Sequence, residues 1–391
     1  MAKALEISFP DVTCFPRSYW AMQGTPPHFP TFGGTRTLDV AIAGAGYLGL
    51  WTALLLKRQA PHLEIAVLEA QGIADGPSGR NGGLAEGFWG KLPLLESAFG
   101  TDEALTIALA GDECAATIRA LSRNYPDTGI EDGPLGFVAN HDWQCAAVAS
   151  RFAAIERIAD QGNAERAGPE KLSRLFPPGR FVDGILYPAA FSIQPAALVR
   201  ALATEAAKAG VEIHERSAIV LARLGDGADI VLKGGAIRAR HFVQATGAWT
   251  SHLPFFKNRL TNFSSHICLT EPIPGLLDVA WPGRKPFYDA RPFINYLRVT
   301  KDQRVMAGSG SGSPSFRNRI TVSDFRILPY GSGRGAPSMH SFPEARMSRS
   351  IHAGAGRSTS PVTGCRSWGP FPMAHTILEP ASRGMVSFRP A

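Results

Sequence analysis

The stretch Leu38-Asp39-Val40-Ala41-Ile42-Ala43-Gly44-Ala45-Gly46-Tyr47-Leu48-Gly49 decides the fold. Leu38 to Ala43 reads as a short apolar strand whose only charge is Asp39. The glycines then make a turn, and a helix is predicted from about Leu48 to Gln59, with Pro61 in the loop beyond it. Leu63 to Glu69 is a second strand, ending on an acid 25 residues after Gly44. Each glycine has its own reason to be there. Gly44 permits the tight turn, Gly46 lets a pyrophosphate approach bare backbone, and Gly49 lets the helix lie close to the sheet. The helix start then offers free N–H groups and the positive end of its dipole to phosphates. Glu69 can accept hydrogen bonds from a ribose diol and would repel a 2′-phosphate, which disfavours NADP. The unit therefore predicts a bound dinucleotide, FAD or NAD.

The run from Val40 to Leu56 carries no charge over 17 residues, the short limit of a spanning helix at ~17–25 residues. Its glycines mark a change from strand period to helix period, so a buried βα unit explains it and no membrane span is predicted. A second glycine-rich loop, Gly76-Pro77-Ser78-Gly79-Arg80-Asn81-Gly82-Gly83, follows the second strand and offers N–H groups, a hydroxyl and a guanidinium. Farther on, Gln194 to Ala209 is an alanine-rich helix with Pro195 in its first turn and Gly210 as its stop. Strands are predicted at Val211 to Glu215, Ala218 to Leu224, Ala228 to Leu232 and Ile237 to Ala245, with Gly225-Asp226-Gly227 as a hairpin turn. Helices are predicted at Asp102 to Ser122 and Ala146 to Ile158.

Composition sets outer bounds. The 391 residues are enough for two domains, and 45% hydrophobic with 19% charged residues is ordinary for a globular chain. The five cysteines are far apart, with no metal-ligand spacing, and the N-terminus lacks an apolar leader core; a reduced, cytoplasmic setting and no metal are expected. The net charge is +7, but the segment from Asp324 onward, with eight arginines, no lysine and three acids, supplies +5 of it. Those arginines are scattered, so a nucleic-acid partner is not expected.

The ordered set Ser18-Tyr19-Trp20, the Gly44–Gly49 turn, Glu69-Ala70, Ser78-Gly79-Arg80-Asn81-Gly82-Gly83, Gly210-Val211-Glu212-Ile213, Ala245-Thr246-Gly247-Ala248-Trp249, Thr270-Glu271-Pro272 and Tyr296-Leu297-Arg298-Val299-Thr300 resembles the D-amino-acid-oxidase-like FAD oxidoreductases. Its nearest branch looks like the γ-glutamylputrescine oxidoreductase group. The likeness runs from about residue 18 to 310. It implies an α/β, two-domain flavoprotein. Residues 38–90 and 190–260 would form a Rossmann-like FAD-binding domain, and 91–189 with 261–310 a mixed-sheet substrate domain, after an N-terminal arm at 1–37. It also implies site roles. Gly44, Gly46, Tyr47, Leu48, Gly49, Glu69 and Ala70 would hold the ADP half of FAD. Ser78, Arg80, Asn81, Gly82, Gly83 and Leu84 would wrap the pyrophosphate and flavin. Ile219 would meet the adenine through its backbone, Thr246, Gly247 and Trp249 would line the same cradle, and Tyr296 and Arg298 would face the substrate, although a surface ion pair is an equal reading of Arg298. The implied reaction is oxidation of a primary or secondary amine or amino acid by hydride transfer to flavin. The imine then hydrolyses, and oxygen or another acceptor takes the electrons. A nicotinamide dehydrogenase remains the other dinucleotide enzyme.

After about Gly310 the apolar periodicity fades, and 311–391 reads as an aberrant, disordered tail. Back-translated in a shifted frame, Ala353 to Gly369 permits W-G-G-x-I-D-x-T-R-D-R-L-P-x-V-G, and Glu379 to Ser387 permits A-G-F-S-G-H-G-V. Both strings resemble the family's C-terminal FAD motifs, which place glycine backbone at the flavin and a closing helix. A frameshift between about Gly310 and Arg349 explains this, and it opens an alternative in which the chain is a non-catalytic remnant that binds FAD weakly or not at all. Resequencing the gene is expected to show nucleotides that encode both strings in the alternate frame; codons that cannot do so end the idea.

Overall fold

The strand read from the glycine stretch runs from Gly34 to Ala43 and lies between two parallel partners, Ile65–Leu68 and Gly235–Gln244. The computed structural model describes residues 5–10, 17–158, 164–256, 259–292, 294–309 and 366–375. Glu212–His214 continues the parallel order beyond Ile65–Leu68. On the other side the sheet turns antiparallel, through Gly227–Leu232 and Ile219–Gly225 to Leu5–Ser8, giving seven strands among the described residues.

Alternation along the central strands explains both layers. Val40, Ile42, Ile65 and Val67 pack into one core with the helices Tyr47–Gln59 and Pro195–Lys208. Ala41, Ala43, Ala66 and Leu68 pack the other way, into a core with Ile219, Ala222, Ile230 and Ile237 of the antiparallel strands. Strands covered on both faces are apolar at nearly every position, which is why the stretch imitated a membrane segment. Among the described residues no helix is long and apolar enough to cross a membrane.

The second sheet has eight strands among the described residues. Leu135–Ala139 is parallel to Phe287–Asp289, and the other pairings are antiparallel. Leu135, Phe137 and Ala139 face a core shared with the helices Leu92–Phe99, Thr101–Ser122 and Asp142–Ile158. Val138, on the opposite face, meets Phe176, Trp281, Phe287 and Leu297. A three-stranded sheet joins Leu84–Ala85 to Phe191–Ser192 and Glu131–Asp132, so the end of the second glycine loop is tied to the layer that carries the second sheet.

Two stretches differ from expectation. The first 37 residues are not all a separate arm: Leu5–Ser8 pairs with Ile219–Gly225, and residues from Gly34 already belong to the central strand. In the tail, Arg366–His375 forms a strand against Thr261–Leu269, while 310–365 and 376–391 lie outside the described residues. In both places an edge strand offers unpaired backbone groups that a further segment can bond. A third edge stays open. Gly235–Ala239 is paired on both sides, but His241–Gln244 has only Val40–Ala43, with no strand on the outer side among the described residues.

Phe176 is fully buried, its ring 6.0 Å from that of Phe181 and 5.4 Å from that of Phe287. Phe176→Ala is expected to lower the unfolding free energy in urea by about 3–5 kcal/mol. A loss below about 1 kcal/mol would show that this layer is not packed as described.

Candidate functional site

The glycine turn is built by backbone approaching backbone. Gly44 has φ +101°, and a Cβ there would stand 2.5 Å from the Ala245 carbonyl oxygen. A Cβ on Gly49 would stand 2.0 Å from the Gly44 carbonyl oxygen, so the helix can rest on the turn only with glycine there. The Gly44 N–H donates to Leu68 O at 2.8 Å and the Ala245 N–H to Ala43 O at 2.9 Å, which locks the turn to both neighbouring strands. Gly46 precedes the helix with no side-chain cap and no acid in the first turn, leaving the dipole's positive end unopposed there. One first-turn donor, the Tyr47 N–H, is taken by Ser78 Oγ at 3.1 Å.

Glu69 braces this turn. Its Oε2 accepts the Ala45 N–H and its Oε1 the Gln71 N–H, each at 2.9 Å. Burial raises its pKa, and those two N–H groups oppose the rise. The carboxylate expected to bind a ribose is thus already holding the loop that would surround it, with a second lone pair left on each oxygen.

Around the turn opens a cleft enclosing about 960 Å³, its open mouth included. Of the residues expected from sequence, Gly44, Gly46, Glu69, Ala70, Ser78, Ile219, Thr246, Gly247 and Trp249 line it together. Added Cβ atoms on Gly76 and Gly247 would meet nothing within 4 Å, so these glycines leave backbone open to the cleft. Phe9, Gln71, Ala74, Val199 and Ala218 also line it and were missed. Pairing between Leu5–Ser8 and Ile219–Gly225 brings Phe9 there, and no local motif announces that.

Tyr47, Leu48, Gly49, Arg80, Asn81, Gly82, Gly83 and Leu84 are not on the cleft wall. Leu48 is exposed on the helix, and Tyr47 is anchored by its hydroxyl, which donates to Pro195 O at 3.2 Å. Arg80 is buried, and its Nε donates to Asp75 O at 2.7 Å. Asn81 stitches its own loop, donating to Ser78 O and accepting the Gly83 N–H, each at 2.9 Å.

Tyr296 and Arg298 come to the outer side of that loop. A Cβ on Gly82 would be 2.9 Å from the Tyr296 ring. Arg298 is buried, 3% exposed, and so is not at the surface where an ion pair was the other reading. Its Nη1 donates to Gly82 O and Gly83 O at 3.1 Å and to Ile193 O at 2.9 Å. Burial pulls its pKa down to about 10. It also lines a second cleft enclosing about 1730 Å³, its open mouth included, with Tyr19, Trp20, Glu131, Arg200 and Asp302.

One further cluster was not foreseen. Glu86 has a buried oxygen without a hydrogen-bond partner and burial raises its pKa, although Tyr288, Lys91 and Arg151 oppose the rise. Arg151 donates to the Tyr288 hydroxyl at 3.2 Å, and a Cβ on Gly90 would stand 3.1 Å from the Tyr187 hydroxyl and 3.2 Å from that of Tyr288. Tyr288 and Tyr187 come together because Phe287–Asp289 and Asp183–Tyr187 both pair with Leu135–Ala139, at separations no motif spans. Among the described residues no three His, Cys, Asp or Glu side chains gather as a metal site.

Known proteins share this architecture. Gamma-glutamylputrescine oxidoreductase of Escherichia coli K12 is 26% identical over 287 residues, which cover 72% of this chain and 66% of that protein. The probable oxidoreductase OrdL of Rhizobium meliloti 1021 is 27% identical over 308 residues, with the same coverage of each chain. The chain thus spans just under two thirds of these relatives' length. Among solved structures, glycine oxidase from Bacillus cereus superposes with a TM-score of 0.61 at 18% identity, covering 86% of this chain and 83% of that one. L-proline dehydrogenase from P. horikoshii gives 0.61 at 14%, covering 92% and 86%. At such identities the likeness shows a shared fold. The profile of the FAD dependent oxidoreductase family matches residues 39–345, and the chain belongs to that family.

Proposed function

We propose that the chain holds FAD along the cleft at Gly44–Gly49 and oxidises a primary or secondary amine or an amino acid. The observation that carries this is the convergence on one cleft of the glycine turn, an uncapped helix start, Ser78 and the Ala245–Gly247 backbone. FAD is the cofactor of the family. The residues fit it: open backbone at Gly76 and Gly247 gives a cradle, and the helix start favours a pyrophosphate. When bound, FAD supplies acceptance of a hydride equivalent from the carbon beside the amine. The chain's own groups bind and orient. Gly46 keeps backbone bare, Ser78 ties the second loop to the helix start, and Glu69 fixes the amide of Ala45.

On the substrate side, a desolvated carboxylate beside tyrosine hydroxyls suits a cationic amine, and Glu86 with Tyr187 and Tyr288 supplies one. The name of the E. coli relative makes a γ-glutamylated diamine the first substrate to try. Oxygen or another acceptor would complete the cycle, in the cytoplasm. A second reading has its own support: the open edge at His241–Gln244 adjoins the cleft through Ala245, and the alternate-frame strings describe motifs that the written chain lacks. In that reading the chain is a remnant that holds FAD weakly or not at all.

Purified full-length protein is expected to be yellow, with flavin bands that bleach on anaerobic addition of a γ-glutamylated diamine or a simple amine. A colourless protein that takes up no added FAD decides for the remnant. Glu69→Ala removes two charge-assisted bonds of about 1.5–3 kcal/mol each, and FAD affinity is expected to fall at least about tenfold. Unchanged affinity would remove Glu69 from the site.

A further inference from the structure

We propose that Trp20, together with Ser18 and Arg298, is a positioning residue that sets which way the peptide groups of the Ser78–Leu84 loop face; this rests on the reading of that loop as part of the FAD site. The loop's carbonyls are held from the rear. Ser18 Oγ donates to Gly79 O at 2.7 Å, Trp20 Nε1 to Asn81 O at 2.9 Å, and Arg298 Nη1 to Gly82 O and Gly83 O at 3.1 Å. The Ile193 N–H adds a bond to Gly83 O at 2.8 Å.

A peptide group is planar and trans, so its carbonyl and the following N–H point in opposite directions. Holding the Asn81 carbonyl on the indole therefore aims the Gly82 N–H away from the arm. That N–H has no acceptor among the described residues, whereas its neighbour on Gly83 is taken by Asn81 Oδ1. A buried or half-buried amide without a partner seeks one, and the loop ends up with its acceptors satisfied behind and a donor in front. Donors on that side are what the flavin's oxygen and nitrogen acceptors need.

The arm is itself pinned. Ser18 accepts the Ala21 N–H at 3.0 Å, Gln194 donates to Trp20 O at 3.0 Å, and Arg200 Nη2 donates to Ala21 O at 2.6 Å. The Tyr19 hydroxyl bonds Asp302, which ties the arm to the second sheet. Trp20 is 4% exposed, and the Arg298 guanidinium carbon lies 5.2 Å from its ring centroid. Trp combines a ring that fills this space with an N–H donor; Phe would keep much of the packing and lose the donor. Gly83 completes the fit, since a Cβ there would stand 2.0 Å from Ile193 O and 2.7 Å from Arg298 Nη1.

The test uses the full chain and Trp20→Phe. In the apoprotein, hydrogen exchange at the Gly83 and Ile193 amides is expected to quicken about tenfold, the loss of one hydrogen bond, with helix Thr101–Ser122 unchanged. With FAD added, the dissociation constant is expected to rise about tenfold and the visible bands of bound flavin to shift. Ser18→Ala should act likewise and Ser18→Thr, which keeps the hydroxyl, should restore both readouts; this pair decides the matter if Trp20→Phe does not fold. Unchanged exchange in Trp20→Phe and Ser18→Ala overturns the clamp. Faster exchange with unaltered FAD affinity and spectrum overturns its role toward the cofactor. A wild-type chain that takes up no FAD defeats the functional reading and the cofactor role with it, and apoprotein exchange then decides the clamp by itself.

Discussion

Backbone meets backbone at Gly44 with no room for a side chain, and the nucleotide end of the molecule depends on it. The Ala245 carbonyl stands where a Gly44 Cβ would be, and the Gly44 carbonyl where a Gly49 Cβ would be. This contact draws three elements to one point: the central strand, the helix that follows it, and the strand that returns after more than 190 residues of intervening chain. A methyl group on either glycine would drive the helix or the returning strand outward. The gap between them would then widen where a phosphate must touch several amides at once.

Glu69 shows how charge is used at such a point. A carboxylate held away from water is costly unless hydrogen-bonded, and two backbone amides meet that need here. The same bonds order the turn before any ligand arrives, so less freedom remains to be lost on binding. Arg298 answers the same problem with the opposite charge. Buried without a carboxylate partner among the described residues, it turns Nη1 to three carbonyls while its Nε stays unbonded there, and the loop beside the cleft gains a fixed outer side.

The sequence made the parallel core legible because period and punctuation agree there. Gly44, Gly46 and Gly49 mark the change from strand to helix, and the Tyr47–Gln59 and Pro195–Lys208 helices lie within a residue or so of their predicted ends. The cleft residues near those glycines could be named for the same reason. Phe9 could not, since it arrives by an edge pairing from an arm with no turn signal. For Arg298 the sequence left a pocket and a surface ion pair equally open, because alternation tells which face a residue takes and not whether that face meets solvent or a loop; it is buried against the Gly82–Gly83 loop. Glu86, Tyr187 and Tyr288 escaped notice because Tyr187 and Tyr288 meet through the register of the second sheet and Glu86 follows a strand of the three-stranded one.

The open edge at His241–Gln244 bears on how a chain with an altered end can still fold. The lower half of that strand is bonded on both sides, and the two cores that cover the central strands draw, among the described residues, on buried residues between Trp20 and Met306. Among the described residues, both of these cores are therefore composed of residues ahead of the tail. On that open half, next to the cleft residue Ala245, Phe242 and Val243 are half-buried where the parallel partners Ala41 and Ile42 are fully buried. Backbone groups on that edge can bond water at little expense or accept a further segment.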